Sequence, residues 1–268
     1  LRRLPIVAEA VTEPVVDKSS AVMQYIMHHV QDDHVWYLPF FKLNLGPHVT
    51  LHMMMLFIAV GFMFLLFGFL YRKQDVVPTG LTNALEILIL FIRDDICVPN
   101  LGKEDGRMMT PMFCSLFFYI LILNLMGLIP LFAGASANIA VTGGLALVTL
   151  SFMIFGTIYL NGFSGFIHAL VPSGVPWPVL ILLVPMEFIG LFIKTIALTI
   201  RLFANMLAGH IVILSLIGLV AVYGAAASPA IVMAVAIYLL KVFVALLQAY
   251  IFTLLSAIFI GQMVHPTH

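Results

Sequence analysis

Charged residues are scarce in this sequence. Lys, Arg, Asp and Glu together make up 9% of its 268 residues, and the formal net charge is zero. A soluble domain is usually about 25% charged, so the composition excludes an ordinary soluble protein. No run of lysine and arginine is long enough to indicate a nucleic-acid partner. The composition, which is 63% hydrophobic, predicts an integral membrane protein in contact with lipid.

Cysteine is also scarce, and several other common signals are missing. The two cysteines, Cys97 and Cys114, lack the spacing of a metal site. No sequence pattern predicts a cofactor, a catalytic site or an internal repeat. The first residues lack the apolar stretch of a signal peptide, and the chain begins at Leu1 rather than Met, so we expect a segment to precede it.

The apolar runs predict an all-α fold. They are near 20 residues long or longer, which suits helices that cross a bilayer, whereas transmembrane strands would alternate over about ten residues. About five membrane helices are expected, over residues 48–71, 109–132, 138–160, 178–222 and 229–263. The last two of these helices form a hairpin around the sequence YGAAASP.

The arms of this hairpin are longer than a bilayer requires. At 1.5 Å per residue the first arm could reach roughly 65 Å, against a hydrocarbon core of about 30 Å. An average tilt of about 20° does not absorb that excess. We therefore expect the arms to be strongly tilted, bent or partly outside the bilayer, and Pro185 offers a bend or a late helix start.

Two segments differ from the spans. Residues 79–98 combine apolar residues at helical spacing with polar ones, which predicts an amphipathic helix at the membrane interface. Residues 161–178 are rich in glycine and proline and predict a re-entrant or interfacial turn. Lysines and arginines lie between the first and second spans, so the positive-inside rule places that connection in the cytoplasm, or in the matrix or stroma of an organelle.

The polar N-terminal arm, residues 1–45, is then expected on the outer side of the membrane, and residues 46–268 form the membrane domain. The arm holds a cluster of potential metal ligands: His28, His29, Asp32, Asp33 and His34. A metal site is one interpretation of this cluster. The favoured interpretation is a solvated arm at the membrane surface.

The residues around which the chain is organised lie at 185–205. Glu187, Lys194 and Arg201 are each seven residues from the next, which places them on one helix face, and Asn205 lies close to that face. A charge at the middle of a membrane costs about 3 kcal/mol or more. Helix packing does not repay this cost for three charges, so we infer a site on an ion or substrate path.

Polar residues of the two hairpin arms fall at matching levels if the arms are antiparallel and meet near residues 224–225. The expected facing pairs are Arg201 with Gln248, His210 with the neighbourhood of Lys241, and Glu187 with Gln262. Lys241 and Gln248 also share one face of the second arm. A random scatter of polar residues would not readily produce these matches.

The matched levels suggest two water-accessible half-paths on either side of Arg201. An arginine stays protonated, so it cannot relay a proton and can only bar one or attract an anion. No carboxylate of this chain is expected at its level, so a partner protein would have to bring one. An ion would enter on one side of the membrane, bind to the carboxylate of the partner and leave on the other side of the membrane.

Three motifs resemble those of subunit a of the F-type ATP synthase, the stator of the membrane motor: NLMGLIP, RLFANMLAGH and LLQAYIFTLL. The resemblance covers most of residues 48–263, with the motifs in the family's order. It implies a non-catalytic subunit, present once per complex, that translocates protons through two offset half-channels. The implied partners are the ring of c subunits and the peripheral-stalk b subunits, with lipid around them.

The resemblance also implies roles for individual residues. Arg201 would face the essential carboxylate of the c ring, keep it ionised and block a direct leak. The other implied positions are Asn205 and Gln248 beside the arginine, Glu187 in the inner half-channel with the basic Lys194 on the same helix, and His210 with Lys241 at the outer half-channel. Lys241 departs from the Glu and His that the family usually carries at that pair, and it could instead pair with a carboxylate such as Asp32 or Asp33. His210 is the better proton carrier of the two, because the ordinary pKa of an imidazole is near 6.5.

Two other functions remain open on the residues alone. A self-contained secondary ion transporter would need repeated halves and broken helices, and a structural membrane anchor would leave Arg201 unexplained. We expect the coupling ion to be the proton rather than sodium. The expected location is a bacterial inner membrane, with the inner membrane of an organelle as the alternative.

Overall fold

The computed structural model of the chain describes residues 35–37, 42–44, 46, 50–70, 80–129, 132, 134–171 and 176–265. The candidate metal ligands His28, His29, Asp32, Asp33 and His34 lie outside the described residues, as does most of the predicted N-terminal arm. Within the arm, β1 (Val35–Tyr37) pairs antiparallel with β2 (Lys42–Asn44).

The remainder of the described chain is almost entirely helical. The α-helices are, in chain order, α1 (Leu51–Leu65), α2 (Leu81–Phe91), α3 (Val98–Leu101), α4 (Lys103–Leu128), α5 (Ile139–Ser151), α6 (Thr157–Leu170), α7 (Trp177–Tyr223) and α8 (Ser228–Val264). Single π-helical turns occupy Leu66–Leu70, Ile92–Cys97 and Phe152–Gly156, and 3-10 turns occupy Ala135–Ala137 and Gly224–Ala227.

Five helical segments in the described residues are long and apolar enough to cross a membrane. They are Leu51–Gly68, Lys103–Leu128, Ile139–Leu170, Pro178–Tyr223 and Ser228–Val264. A helix pairs its backbone hydrogen-bonding groups internally, which is what the hydrocarbon of a bilayer demands. These segments confirm the predicted all-α integral membrane fold with five membrane helices.

The helix boundaries differ from the predicted ones most at two places. α4 begins at Lys103, earlier than expected, with Glu104 and Asp105 in a first turn where the helix dipole favours acidic residues. The turn predicted over residues 161–178 is only partly present: the chain kinks at Gly162, but helix resumes after it and reaches Leu170. Gly162 does interrupt that helix with a φ of 72°, a conformation that glycine adopts without steric cost.

The last two helices have the lengths that the sequence predicted. α7 has 47 residues and α8 has 37, and the short turn Gly224–Ala227 joins them. α7 starts at Trp177 and passes through Pro185, so the late start considered for this helix is wrong. At 1.5 Å per residue α7 is roughly 70 Å long, far more than the hydrocarbon thickness, so it must be tilted, bent or partly outside the bilayer.

The chain divides into two compact units. The first contains residues 1–56, 123–138 and 203–246, and the second contains residues 57–122, 139–202 and 247–268. The apolar core of the second unit includes the fully buried rings of Phe113, Phe117 and Phe252. Large buried aromatic residues of this kind supply most of the contact area of a helical core.

The predicted interfacial helix belongs to the second unit and is not one of the five membrane-length segments. It runs from α2 through a π-helical turn into α3. Leu85 and Ile92 are buried in the core, whereas Asp94 is exposed and pairs with Arg93 at 2.8 Å. The Arg93 guanidinium lowers the pKa of the Asp94 carboxyl through this hydrogen bond. The amphipathic character predicted from residues 79–98 is therefore present.

Both cysteines are buried free thiols. Cys97 lies in the π-helical turn after α2, and burial raises the pKa of its thiol to about 12. A thiol with such a pKa stays protonated near neutral pH and is a poor metal ligand or nucleophile.

Replacing Gly261 by alanine is expected to destabilise the second unit. A Cβ at Gly261 on α8 would overlap the backbone carbonyl oxygen of Asn100 on α3, and backbone atoms cannot turn aside as a flexible side chain can. Overpacking of this kind costs about 1–3 kcal/mol. The measurement is the thermal unfolding midpoint of the protein purified in detergent.

Gly144→Ala is the matched control, because nothing lies within 4 Å of a Cβ at that helical glycine. It should leave the midpoint unchanged or slightly raised, since alanine favours helix more than glycine does. Equal midpoints for the two variants would show that the contact between Gly261 and Asn100 is not close in the folded protein.

Candidate functional site

Lys194 connects the two long helices inside the second unit. Its Nζ donates a hydrogen bond of 3.0 Å to Oε1 of Gln262 on α8, and it lies 3.9 Å from Oε1 of Glu187 on its own helix. The ammonium also sits 5.5 Å from the centre of the Phe259 ring, within cation–π range. The side chain is about one-quarter exposed, so the charge is shared among these three partners away from most solvent.

This arrangement adds a residue to one predicted pair. The hairpin register placed Glu187 opposite Gln262, and the ammonium of Lys194 lies within 4 Å of both side chains and donates the hydrogen bond to Gln262. Helical side chains lean toward the helix N-terminus, and a lysine is long enough to reach back about one turn. Its ammonium can therefore bond Gln262 and approach the carboxylate of Glu187 at the same time.

Arg201 has a different environment. Its side chain is exposed beside the exposed Ile200, whereas Leu191 and Leu198 of the same helix are buried. Within the described ranges the guanidinium has no hydrogen bond or ion pair, and the predicted neighbour Gln248 is not bonded to it. Gln248 is 5% exposed and its Nε2 has no partner among the described residues.

His210 and Lys241 come together in the first unit, as the register predicted. Lys241 of α8 passes across Gly209 of α7: a Cβ added at Gly209 would lie 2.8 Å from Nζ of Lys241. His210 packs against Gly134, where an added Cβ would lie 2.5 Å from its Nε2. Both Nε2 of His210 and Nζ of Lys241 are buried without a hydrogen-bond partner in the described part of the chain.

A small cavity adjoins Lys241 in the same unit. Its volume is about 20 Å³, and its lining residues are Asn124, Leu128, Asn205, Met206, Lys241, Val244 and Ala245. Asn124 is 3% exposed, and its Oδ1 has no partner among the residues that the structure describes. The cavity thus brings Asn205 and Lys241, two of the predicted site residues, to the same space.

Sequence analysis missed several polar residues of the first unit. Asn124 lies in the motif NLMGLIP without having been assigned a role, and Ser136 is fully buried with an unpaired Oγ in the described structure. His52 of α1 is 6% exposed, and its Nδ1 lies 3.3 Å from Nδ2 of Asn138. The signal that could have found His52 and Asn124 is their position inside apolar spans, where polar residues are costly.

Metal ligands are not grouped in the part of the chain that the structure describes: no cluster of three or more His, Cys, Asp or Glu side chains occurs there. The histidines predicted as weak metal candidates lie outside those residues. Among the described residues, the ion pair between two side chains within the long apolar helix α7 is Glu187 with Lys194, at 3.9 Å.

Five apolar helices with ionisable side chains inside them define a multi-pass helical membrane protein. The sequence pattern of the ATP synthase A chain family matches residues 52–261. The chain belongs to this family. The finding confirms the resemblance that rested on NLMGLIP, RLFANMLAGH and LLQAYIFTLL.

Curated relatives lead to the same family. The chain is 44% identical over 237 residues to ATP synthase subunit a of Anaeromyxobacter sp. (strain Fw109-5), covering 86% of this chain and 58% of that one. It is 43% identical over 263 residues to ATP synthase subunit a of Chloroherpeton thalassium (strain ATCC 35110 / GB-78), covering 90% and 77%. The chain spans 58% to 61% of the length of its Anaeromyxobacter relatives.

Proposed function

We propose that this protein is the proton-translocating stator subunit of a rotary ATP synthase. It has no catalytic site of its own in this proposal and works as one copy within a larger complex. The main support for the proposal is the setting of Arg201 on a membrane helix. Its guanidinium is exposed and has no ion-pair partner in the described structure. Membership of the ATP synthase A chain family supports the same function.

The exposed guanidinium needs an acidic partner. An unpaired charge at mid-membrane costs about 3 kcal/mol on insertion scales, so it is retained only where it has a function. A carboxylate carried by a ring of c subunits would pass beside Arg201 and be held ionised there. Because arginine does not release its proton, it also separates the protons arriving on one side from those leaving on the other.

Two half-channels would lead from the two sides of the membrane to Arg201. Glu187, with Lys194 beside it, belongs to the inner half-channel, and His210 with Lys241 belongs to the outer one. Asn205 and Gln248 supply neutral polar groups next to the arginine. The driving force is about 2.3 kcal/mol for each charge that crosses 100 mV, and the proton is the proposed coupling ion rather than sodium.

The partners follow from this function. The c ring would contact the Arg201 side of α7, peripheral-stalk b subunits would hold the protein in place, and lipid would cover the remaining apolar surface. The bacterial relatives favour a bacterial inner membrane as the location. The alternative function, a self-contained secondary transporter, is disfavoured because such proteins are built from repeated halves around a midplane site, and no repeat is evident in this sequence.

Purification separates the two functions. Gentle extraction of the tagged protein from its own membrane should bring with it a ring of small hairpin membrane proteins, identified by mass spectrometry and by class averages of the particles. A transporter would purify alone or as a homo-oligomer. The Gly144→Ala variant, extracted in parallel, serves as a control that tagging and substitution do not themselves dissociate a complex. Repeated recovery of the protein without ring subunits, from membranes that contain the assembled synthase, would count against the stator.

A further inference from the structure

We propose that the cavity beside Lys241 holds an ordered water molecule that bridges Lys241 and Asn124, and that Asn124 is a positioning residue for the Lys241 ammonium. This inference deepens the proposed function. Its expected effect on proton pumping rests on the stator function, whereas the water site itself does not. It concerns the first unit alone, in which every lining residue of the cavity lies.

The first argument is chemical complementarity. Two of the lining residues each have a buried polar side-chain atom without a partner among the described residues: Nζ of Lys241, a donor, and Oδ1 of Asn124, an acceptor. Native structures rarely leave such groups unpaired, and ordered water is the usual partner where protein groups are missing. A water molecule can accept from the ammonium and donate to the amide oxygen at the same time.

The second argument is size. The cavity measures about 20 Å³, and a single water needs at least about 10–15 Å³ of such space. Four of its lining residues, Leu128, Met206, Val244 and Ala245, offer no polar side chain, which leaves Asn124, Asn205 and Lys241 to bind the occupant. A metal cation is excluded because the lysine ammonium would repel it and only two amide oxygens are at hand.

The third argument is the path of the lysine side chain. Lys241 crosses directly over Gly209, where any Cβ would collide with its Cε. The absence of a side chain at Gly209 therefore lets the ammonium lie against α7 instead of extending away from it. A lysine held in this way buries its charged end, and the bridging water replaces part of the hydration that burial removes.

The structural test is a density map, at a resolution that shows water, of the full-length protein with whatever partners purify with it. We expect a peak in the cavity within hydrogen-bond distance of both Nζ of Lys241 and Oδ1 of Asn124. An empty cavity, or a direct bond between the two side chains, would overturn the proposal. This readout does not depend on activity, so it still decides the water site if the proposed stator function fails.

The functional test is a double-mutant cycle. Asn124→Leu keeps the number and branching of the side-chain heavy atoms but removes the acceptor, and Lys241→Met keeps most of the length but removes the charge. Proton pumping per assembled complex is measured in inverted vesicles. We expect Asn124→Leu to lower pumping about tenfold when Lys241 is present, and to have little further effect on the Lys241→Met background.

Ser136→Ala is the matched control for the cycle. Ser136 is also buried and unpaired in the described residues of this unit, but it does not line the cavity. Its effect on pumping should therefore be the same with and without Lys241→Met. A loss from Asn124→Leu that is likewise independent of Lys241 would reduce Asn124 to a packing residue and overturn its positioning role.

Asn124→Asp covers the case in which Asn124→Leu fails to assemble. The aspartate carboxylate is nearly the same size as the asparagine amide that it replaces, and it can pair with the ammonium of Lys241. This variant should therefore assemble and pump when Lys241 is present. On the Lys241→Met background the carboxylate would be buried without a counter-charge, and pumping or assembly should be lost. Equal behaviour of Asn124→Asp in the two backgrounds would show that Lys241 and Asn124 do not interact.

Discussion

Replacing Arg201 by alanine is expected to abolish ATP-driven proton pumping. Inverted membrane vesicles carrying the variant should acidify no more than vesicles without the complex, when acidification is followed with a pH-sensitive dye. Among the predictions made for this protein, this one has the largest effect, because it removes the only charge in the described residues of α7 that is exposed and without an ion-pair partner.

The physical reason has two parts. Without the guanidinium, a carboxylate arriving from the rotor loses its counter-charge, and an isolated carboxylate in a low-dielectric setting takes up a proton instead of remaining ionised. The proposed barrier between the two half-channels would be lost at the same time. We therefore also expect passive proton leak through the membrane sector to rise in vesicles stripped of the ATP-hydrolysing part.

Two control variants define the result. Arg201→Lys keeps the positive charge but loses the planar, fork-like set of donors, so it should retain less pumping than the unaltered protein but leak less than Arg201→Ala. Ile200→Ala changes the adjacent exposed residue, which is 52% exposed, and should keep more than about half of the pumping. Undiminished pumping by Arg201→Ala, without a compensating substitution elsewhere in the complex, would contradict the stator proposal.

The second large effect is expected at His210. His210→Ala should lower ATP-driven pumping by about a hundredfold, which is typical of the loss of a group that takes and gives protons. Lys241→Ala should lower it by less, about tenfold or under, because an ammonium acts through its charge and does not need to release a proton. Pumping rates are compared after normalising to the amount of assembled complex.

The structure supports this ranking through the setting of the imidazole. Nε2 of His210 is buried without a hydrogen-bond partner in the described part of the unit, and it lies against the backbone of Gly134. In the proposed half-channel, a ring nitrogen without a protein partner would be free to exchange protons with water.

His210→Gln separates proton exchange from packing. Glutamine has a similar size and can form hydrogen bonds, but it does not titrate. If His210 exchanges protons, His210→Gln should lose nearly as much pumping as His210→Ala. Retained pumping in His210→Gln would make the residue a structural one, and equal, total losses for His210→Ala and Lys241→Ala would overturn the ranking of the two.

Much of the architecture could be predicted from local sequence properties. The five apolar runs, the amphipathic pattern over residues 79–98 and the length of α7 each depend on hydropathy and helical periodicity, which are read along a single helix. The approach of Lys241 to α7 beside His210 was also predictable, because an antiparallel hairpin with a short turn has few possible registers. Boundaries were less predictable: α6 continues beyond Gly162 since one glycine at positive φ redirects a helix without ending it.

The site itself was predictable only in part. The sequence showed which ionisable residues lie inside apolar helices, and Arg201, His210 and Lys241 were identified on that basis. It did not show that Lys194 rather than Glu187 bonds Gln262, because the reach and lean of a long side chain depend on the helix packed against it. It also did not show that Asn124 and Lys241 face one cavity.

The sequence by itself determined that this protein is a bundle of membrane helices with charges inside them, and its motifs determined the family. Only the tertiary structure decided which of those charges are paired, as at Lys194, and which are not, as at Arg201. The physical reason is that burial in lipid is a property of each segment's own composition. Whether a polar group finds a partner depends instead on atoms brought together from distant parts of the chain.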